Sequence, residues 1–156
     1  MVRYLPAESK ESVEQTRNLF LEYASSLDFK LCFQDFDKEL ASLPGEYATP
    51  NGRLYLAFER SEPVGCVGLR RLEEGACEMK RLYVKPNHRR EGIGRELAEL
   101  VIRDACDIGY SKMRLDTVAA MTPAITLYRS LGFKEIPPYR HNPIASAIYL
   151  ELDLEK

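Results

Sequence analysis

Residues 78–99, EMKRLYVKPNHRREGIGRELAE, constrain this chain more than any other stretch. A short strand-forming run leads into a basic loop holding Arg89, Arg90, Gly92 and Gly94, and the loop leads into an amphipathic segment. Ile93, Leu97, Leu100 and Val101 recur at i, i+4, i+7 and i+8, the spacing of one apolar helical stripe. The glycines therefore fall where the loop becomes the first helical turn. Unpartnered backbone N–H groups converge there, and the helix dipole adds about half a positive charge. Such a place favours a phosphate. Charge agrees: Lys80, Arg81, Lys85, Arg89, Arg90 and Arg95 against Glu78 and Glu91 give 6 − 2 = +4, in a chain whose net charge is −2.

Spacing decides among glycine loops. There is no G-x-x-x-x-G-K-[ST], which excludes a nucleoside-triphosphate P-loop. The dinucleotide pattern G-x-G-x-x-G fails because Leu97 stands where the third glycine belongs. What remains is Arg89-Arg90-Glu91-Gly92-Ile93-Gly94, an R-x-x-G-x-G. It resembles the coenzyme A pyrophosphate loop of the GNAT N-acetyltransferase superfamily. The run Ala124-Ile125-Thr126-Leu127-Tyr128-Arg129-Ser130-Leu131-Gly132-Phe133 is similar to that superfamily's A-x-x-L-Y-x-x-x-G-F signature. The two occur in the superfamily's order.

The remaining composition is compatible with this. A chain of 156 residues, 45% hydrophobic and 29% charged, makes one ordinary domain, taken here as 1–156. No apolar run approaches the roughly 20 residues of a membrane span, and the N-terminus has no signal-peptide core. Cys32, Cys66, Cys77 and Cys106 are scattered, without C-x-x-C, and there are two histidines, so neither zinc nor a disulfide framework is expected. Reduced thiols suit a cytoplasmic protein. Basic residues gather at one loop of an acidic chain, which argues against nucleic acid as a partner.

Along the chain, strands alternate with helices. Expected strands are Val2–Pro6, Arg53–Glu59, 64–72, Ala76–Val84, Lys112–Val118, 133–137 and 145–154. Helices are expected from a Ser12/Gln15 capping box, over 36–43, over 92–107, and from an N-cap Thr122 to Gly132. Strand 76–84, helix and strand 112–118 form a βαβ crossover with parallel strands. The fold class is a mixed α/β sheet flanked by helices. The resemblance adds that the sheet is mostly antiparallel and that the crossover carries the pyrophosphate loop.

The resemblance implies acetyl-CoA as co-substrate, with no metal. Backbone groups from Arg89, Arg90, Glu91, Gly92, Ile93, Gly94 and Arg95 would ring the pyrophosphate, and those of Leu82, Tyr83 and Val84 would pair with the pantetheine amides. The N–H of Val84 would face the thioester oxygen. Tyr128 would protonate the departing thiolate, which a phenol of pKa near 10 suits; the same position also suits a core tyrosine. Glu78 would be the base that deprotonates the amine, and an ion pair with Lys80 or Lys112 is the other reading. Strand alternation sets Glu78 on the side of Lys80, Leu82 and Val84. Many members carry an asparagine where this chain has Met121. The alternative to an enzyme is a non-catalytic acyl-CoA binding module.

In this fold the acceptor pocket is built from the segment between the first helices and from C-terminal loops. Here Phe33 and Asp35 lie in the first, Arg140 and His141 in the second. Arg140 suits a substrate carboxylate, Asp35 a second amine, and His141 a base near neutral pH. A small-molecule amine is the expected acceptor. A homodimer through a C-terminal strand edge is possible.

Overall fold

Residues 1–27 and 35–155 are described by the computed structural model. Their elements run β1 (Val2–Pro6), α1 (Lys10–Ser25), α2 (Phe36–Ser42), β2 (Arg53–Glu59), β3 (Glu62–Glu73), β4 (Ala76–Val84), α3 (Ile93–Ile108), β5 (Lys112–Val118), α4 (Thr122–Ser130), β6 (Lys134–Ile136) and β7 (Ala147–Asp153). Short 3-10 turns occupy Gly45–Tyr47 and Pro86–His88. The strands form one sheet in the order β1-β2-β3-β4-β5-β7-β6. Only β4 and β5 are parallel, joined by the α3 crossover; the other neighbours are antiparallel.

Strand alternation divides the apolar residues between two cores. On one face α3 buries Ile93, Leu97, Ala98, Val101 and Ala105 against Val67, Leu69, Cys77, Met79, Met113 and Leu115. Gly65 allows this approach. A Cβ there would lie 3.2 Å from Leu97 Cδ1 and 3.3 Å from Ile93 Cγ2. Fully burying a side chain such as Leu97 stabilises by roughly 1.5–3 kcal/mol. On the other face Leu19 and Phe20 of α1 and Phe36 and Leu40 of α2 cover Leu54, Leu56, Phe58 and Tyr83.

Three boundaries differ from expectation for local reasons. Helix α1 starts at Lys10, because Ser9 and Ser12 cap each other: Ser12 N donates to Ser9 Oγ at 3.0 Å and Ser9 N to Ser12 Oγ at 2.9 Å. The box is Ser-x-x-Ser rather than the Ser12/Gln15 pair. The β2–β3 turn is tighter than expected, with Arg60 at φ 59. Thr122 is the first residue of α4, with Met121 in the cap position.

Strand β4 breaks alternation. Cys66 pairs with Tyr83 but Gly68 pairs with Lys80, so Arg81 and Leu82 face the single residue Val67. Arg81 takes φ 60, a left-handed conformation that costs a non-glycine residue about 1–2 kcal/mol. Glu39 of α2 holds it there: Arg81 Nε donates to Glu39 Oε2 at 3.0 Å and Nη2 to Oε1 at 2.8 Å. The Arg81 guanidinium also lies 5.1 Å from the Phe36 ring centroid. The bulge corrects one sequence expectation. Glu78 and Lys80 share the face of α1 and α2, whereas Leu82 and Val84 pack on the α3 side and Tyr83 takes the face they would have had.

Candidate active site

The phosphate loop is built mostly from backbone. Gly92 sits at φ 80 in the N-cap position of α3, where no side chain caps the helix, and Arg90 is left-handed at φ 67. Glu96 N bonds to Gly92 O at 3.1 Å, the first hydrogen bond of the helix. The N–H groups of Ile93, Gly94 and Arg95 precede it and have no intrahelical partner. Space above Gly92 is open, with no atom within 4 Å of an ideal Cβ. At Gly94 a Cβ would meet Val84 Cγ2 at 3.7 Å and Leu127 Cδ2 at 3.8 Å, placing this turn at the mouth between β4 and α4. Arg89, Arg90, Glu91 and Arg95 are exposed around it. Arg89 Nε donates to Val84 O at 2.9 Å, and Arg95 Nη2 bonds to Ser130 Oγ at 2.5 Å. Free amide donors, an open glycine and a cationic rim fit the pyrophosphate of coenzyme A.

The mouth leads into a gap in the sheet. β4 and β5 pair only through Ala76–Lys112, Cys77–Met113 and Glu78–Arg114, then separate. A cleft opens between Met79, Lys80, Arg81 and Leu82 on one wall and Leu115, Asp116, Thr117 and Val118 on the other, with Tyr128, Met121 and Asn142 around it. The backbone edge of β4 through Leu82, Tyr83 and Val84 has no β5 partner there, so it is open to an added strand-like ligand. Tyr128 is 8% exposed and stacks edge-on against Phe133 at 5.8 Å between centroids. Burial, then Tyr23 and Asp116, pushes its hydroxyl well above the usual tyrosine range. It is thus both a core residue and a cleft residue. Met121 lines the cleft where the pattern often has a polar side chain.

Glu78 is fully buried, and both its oxygens are taken. Arg70 Nε donates to Oε1 at 2.9 Å and Tyr139 Oη to Oε2 at 2.7 Å, while Arg140 Nη2 also bonds Oε2. Burial pushes the Glu78 carboxyl up, but Lys80, Arg140 and Arg70 outweigh burial and hold it down at about 2. A carboxylate so held is a weak base and a strong anchor. The base role read from the sequence would require this carboxylate to be released from Arg70, Tyr139 and Arg140. Tyr139 lies between two guanidiniums, with Arg140 Cζ 5.1 Å and Arg114 Cζ 5.8 Å from its centroid. Arg140 is brought to the site, but its charge is already committed to Glu78.

Other expectations separate. His141 is exposed and absent from the cleft wall, so it is not placed as a base there. Asp35 is exposed in the left-handed N-cap position of α2. Phe33 lies outside the described residues. Two cleft residues escaped the sequence reading. Lys80, 5% exposed, is read from the sequence as part of the basic stretch and as a partner for Glu78 but not as a cleft residue, and Asp116 has no motif around it. Alternation along β5 was the available signal: with Met113 and Leu115 in the α3 core, Asp116 must face the other side. Burial, then Arg81, pushes the Lys80 ammonium down to about 7 against Glu78 and Asp116.

Comparison with known proteins agrees with this geometry. The family model of the GNAT acetyltransferases matches residues 13–133. An uncharacterized N-acetyltransferase of Schizosaccharomyces pombe is 38% identical over 148 residues, covering 94% of this chain and 91% of that protein. A GNAT-family acetyltransferase from Staphylococcus aureus Mu50 superposes with TM-score 0.83 at 20% identity, over 99% of this chain and all of that one. The PaiA N-acetyltransferase of Thermoplasma acidophilum, solved in complex with coenzyme A, superposes with TM-score 0.74 at 17% identity, over 98% and 99% of the two chains. Both structures share the fold. The chain belongs to the GNAT acetyltransferase family, as an acyltransferase acting in acetyl-CoA-dependent N-acetylation.

Proposed function

We propose that the protein moves an acetyl group from acetyl-CoA to the amine of a small molecule bound in the cleft between β4 and β5. The observation that carries this is the parting of β4 and β5 after Glu78 and Arg114, with the open Gly92 turn at one end and Tyr128 on the wall. Acetyl-CoA supplies an activated thioester. The turn from Arg89 to Arg95 would hold its pyrophosphate by backbone donors, and the unpaired edge at Leu82, Tyr83 and Val84 would hold its pantetheine amides. The N–H of Val84 is the nearest candidate to polarise the thioester oxygen.

An ammonium acceptor loses two protons on acetylation. One must leave before attack, because only the free lone pair forms the N–C bond. The other leaves as the C–S bond breaks, and Tyr128 can deliver a proton to the sulfur and regain one from the nitrogen. Burial raises its pKa and weakens it as an acid, so the delivery to sulfur depends on the return of the proton from nitrogen in the same step. Glu78 acts through Tyr139 and Arg140, fixing the loop between β6 and β7 against the cleft. An acceptor of small size suits a cleft closed on one side by this clamp.

A screen of primary amines with acetyl-CoA, read by thiol release, tests the proposal. Turnover that falls at least about tenfold in Tyr128→Phe with acetyl-CoA affinity unchanged is expected. Acetyl-CoA binding without turnover of any amine would instead support a binding module.

A further inference from the structure

The walls of the cleft carry opposite charges. Lys80 stands on β4 and Asp116 on β5, beyond the point where the strands stop pairing, and both line the cleft near Tyr128. The carboxylates around them each have an arginine. Glu39 has Arg81, Glu46 has Arg70, Glu78 has Arg70 and Arg140, and Glu73 and Glu151 share Arg114. Asp116 is the exception. Among the described residues its one hydrogen bond comes from Asn142 Nδ2 at 3.4 Å, beyond the usual N–H···O range. A half-buried carboxylate that faces a cleft, with no ion pair within 4.0 Å among the described residues and with Lys80 and Arg140 acting on it from further off, suits an incoming ammonium.

Lys80 complements it. Its ammonium is disfavoured by burial and by Arg81 and Arg70, so an added carboxylate in the cleft would stabilise its charged form. Tyr23, Leu27, Leu82, Met121 and Val118 supply an apolar surround. We infer that the acceptor is an α-amino acid with an apolar side chain, its ammonium seated on Asp116 and its carboxylate facing Lys80. A polyamine is disfavoured because its further cations would meet Lys80, Arg81 and Arg140. This inference rests on the reading of the cleft as the acceptor site and assigns its substrate class.

The experiment uses matched pairs, an amino acid and the same amine without its carboxyl: phenylalanine and 2-phenylethylamine, leucine and 3-methylbutylamine. Binding of each to the protein saturated with coenzyme A is measured by calorimetry, so the readout does not depend on turnover. The amino acid is expected to bind about tenfold more tightly than its partner, the scale of one charge-assisted contact. Lys80→Met should abolish that difference and Lys80→Arg should keep most of it. Asp116→Asn should weaken both members of each pair by about tenfold, with coenzyme A affinity unchanged as the control for folding. Equal or better binding of the decarboxylated amines overturns the inference, as does an Asp116→Asn protein that binds both as before. Failure of the unaltered protein to bind coenzyme A would instead remove the reading on which the inference rests.

Discussion

The phosphate turn and the clamp around Glu78 are neighbours built on opposite principles. At the turn, recognition belongs to the backbone: N–H groups from Ile93 to Arg95, an open glycine, and exposed side chains with few partners. At the clamp it belongs to side chains, with one buried carboxylate tying Arg70, Tyr139 and Arg140. The first leaves its amide donors without intrahelical partners, and the second is already satisfied. Ligand binding should therefore be sensitive to changes at the turn, and folding to changes at the clamp.

Substitutions at four positions test that division, in descending order of expected effect. Glu78→Ala leaves two guanidiniums beside an emptied buried site and should cost about 3–5 kcal/mol, measured by denaturant unfolding. The same group sets an acid limit. Its folded value of about 2 lies below the ordinary 4.5, so its contribution is complete above pH 4.5 and is lost as pH falls toward 2. Glu78→Gln should flatten the stability profile across that window. Gly94→Asp puts a carboxylate among the amides meant for an anion. It should lower coenzyme A affinity by about a hundredfold, close to 2.7 kcal/mol, with little loss of stability; a large loss of stability would break the comparison. Tyr128→Phe keeps the ring packing on Phe133 and removes the hydroxyl. A roughly tenfold to hundredfold fall in kcat at constant KM for acetyl-CoA is expected, and an unchanged kcat would leave Tyr128 a core residue only. Arg81→Gly relieves the left-handed backbone but gives up the pair with Glu39. Stranding the nearly buried Glu39 carboxylate outweighs the relief, and a net loss of about 1–3 kcal/mol is expected in the unfolding curve.

The same contrast explains what could be read from sequence. The turn is written within seven consecutive residues, 89–95, because backbone donors and glycines act where they stand. The strands β1, β2, β4 and β5 were legible to the residue, since turns and alternation mark their ends. The clamp joins Glu78 to residues 8 and 62 positions away, and no local window contains it. A glutamate before the loop therefore reads as a base in the sequence, and its anchoring partners come into view only in the fold. Asp116 was hidden differently. Its chemistry is an absence of arginine, which appears only once the partners of the surrounding carboxylates are known. The bulge in β4 was concealed by its residue type, because an arginine does not advertise a positive φ as a glycine would.

That bulge has a consequence for how this protein can vary. Counting in twos along β4 succeeds from Ala76 to Lys80 and again from Leu82 to Val84, but the two counts differ in phase. Loss of the single codon for Arg81 would restore one continuous count. Leu82 and Val84 would then keep the α3 face and Tyr83 the face of α1 and α2, the sides they already occupy. The Tyr83 hydroxyl, which donates to Glu22 at 2.7 Å, would stay on that side. A deletion at Arg81 would cost chiefly the pair with Glu39, the same loss that a point substitution makes. In a lineage of such chains, this strand could lose its extra residue without turning over its faces, provided that Glu39 changed with it.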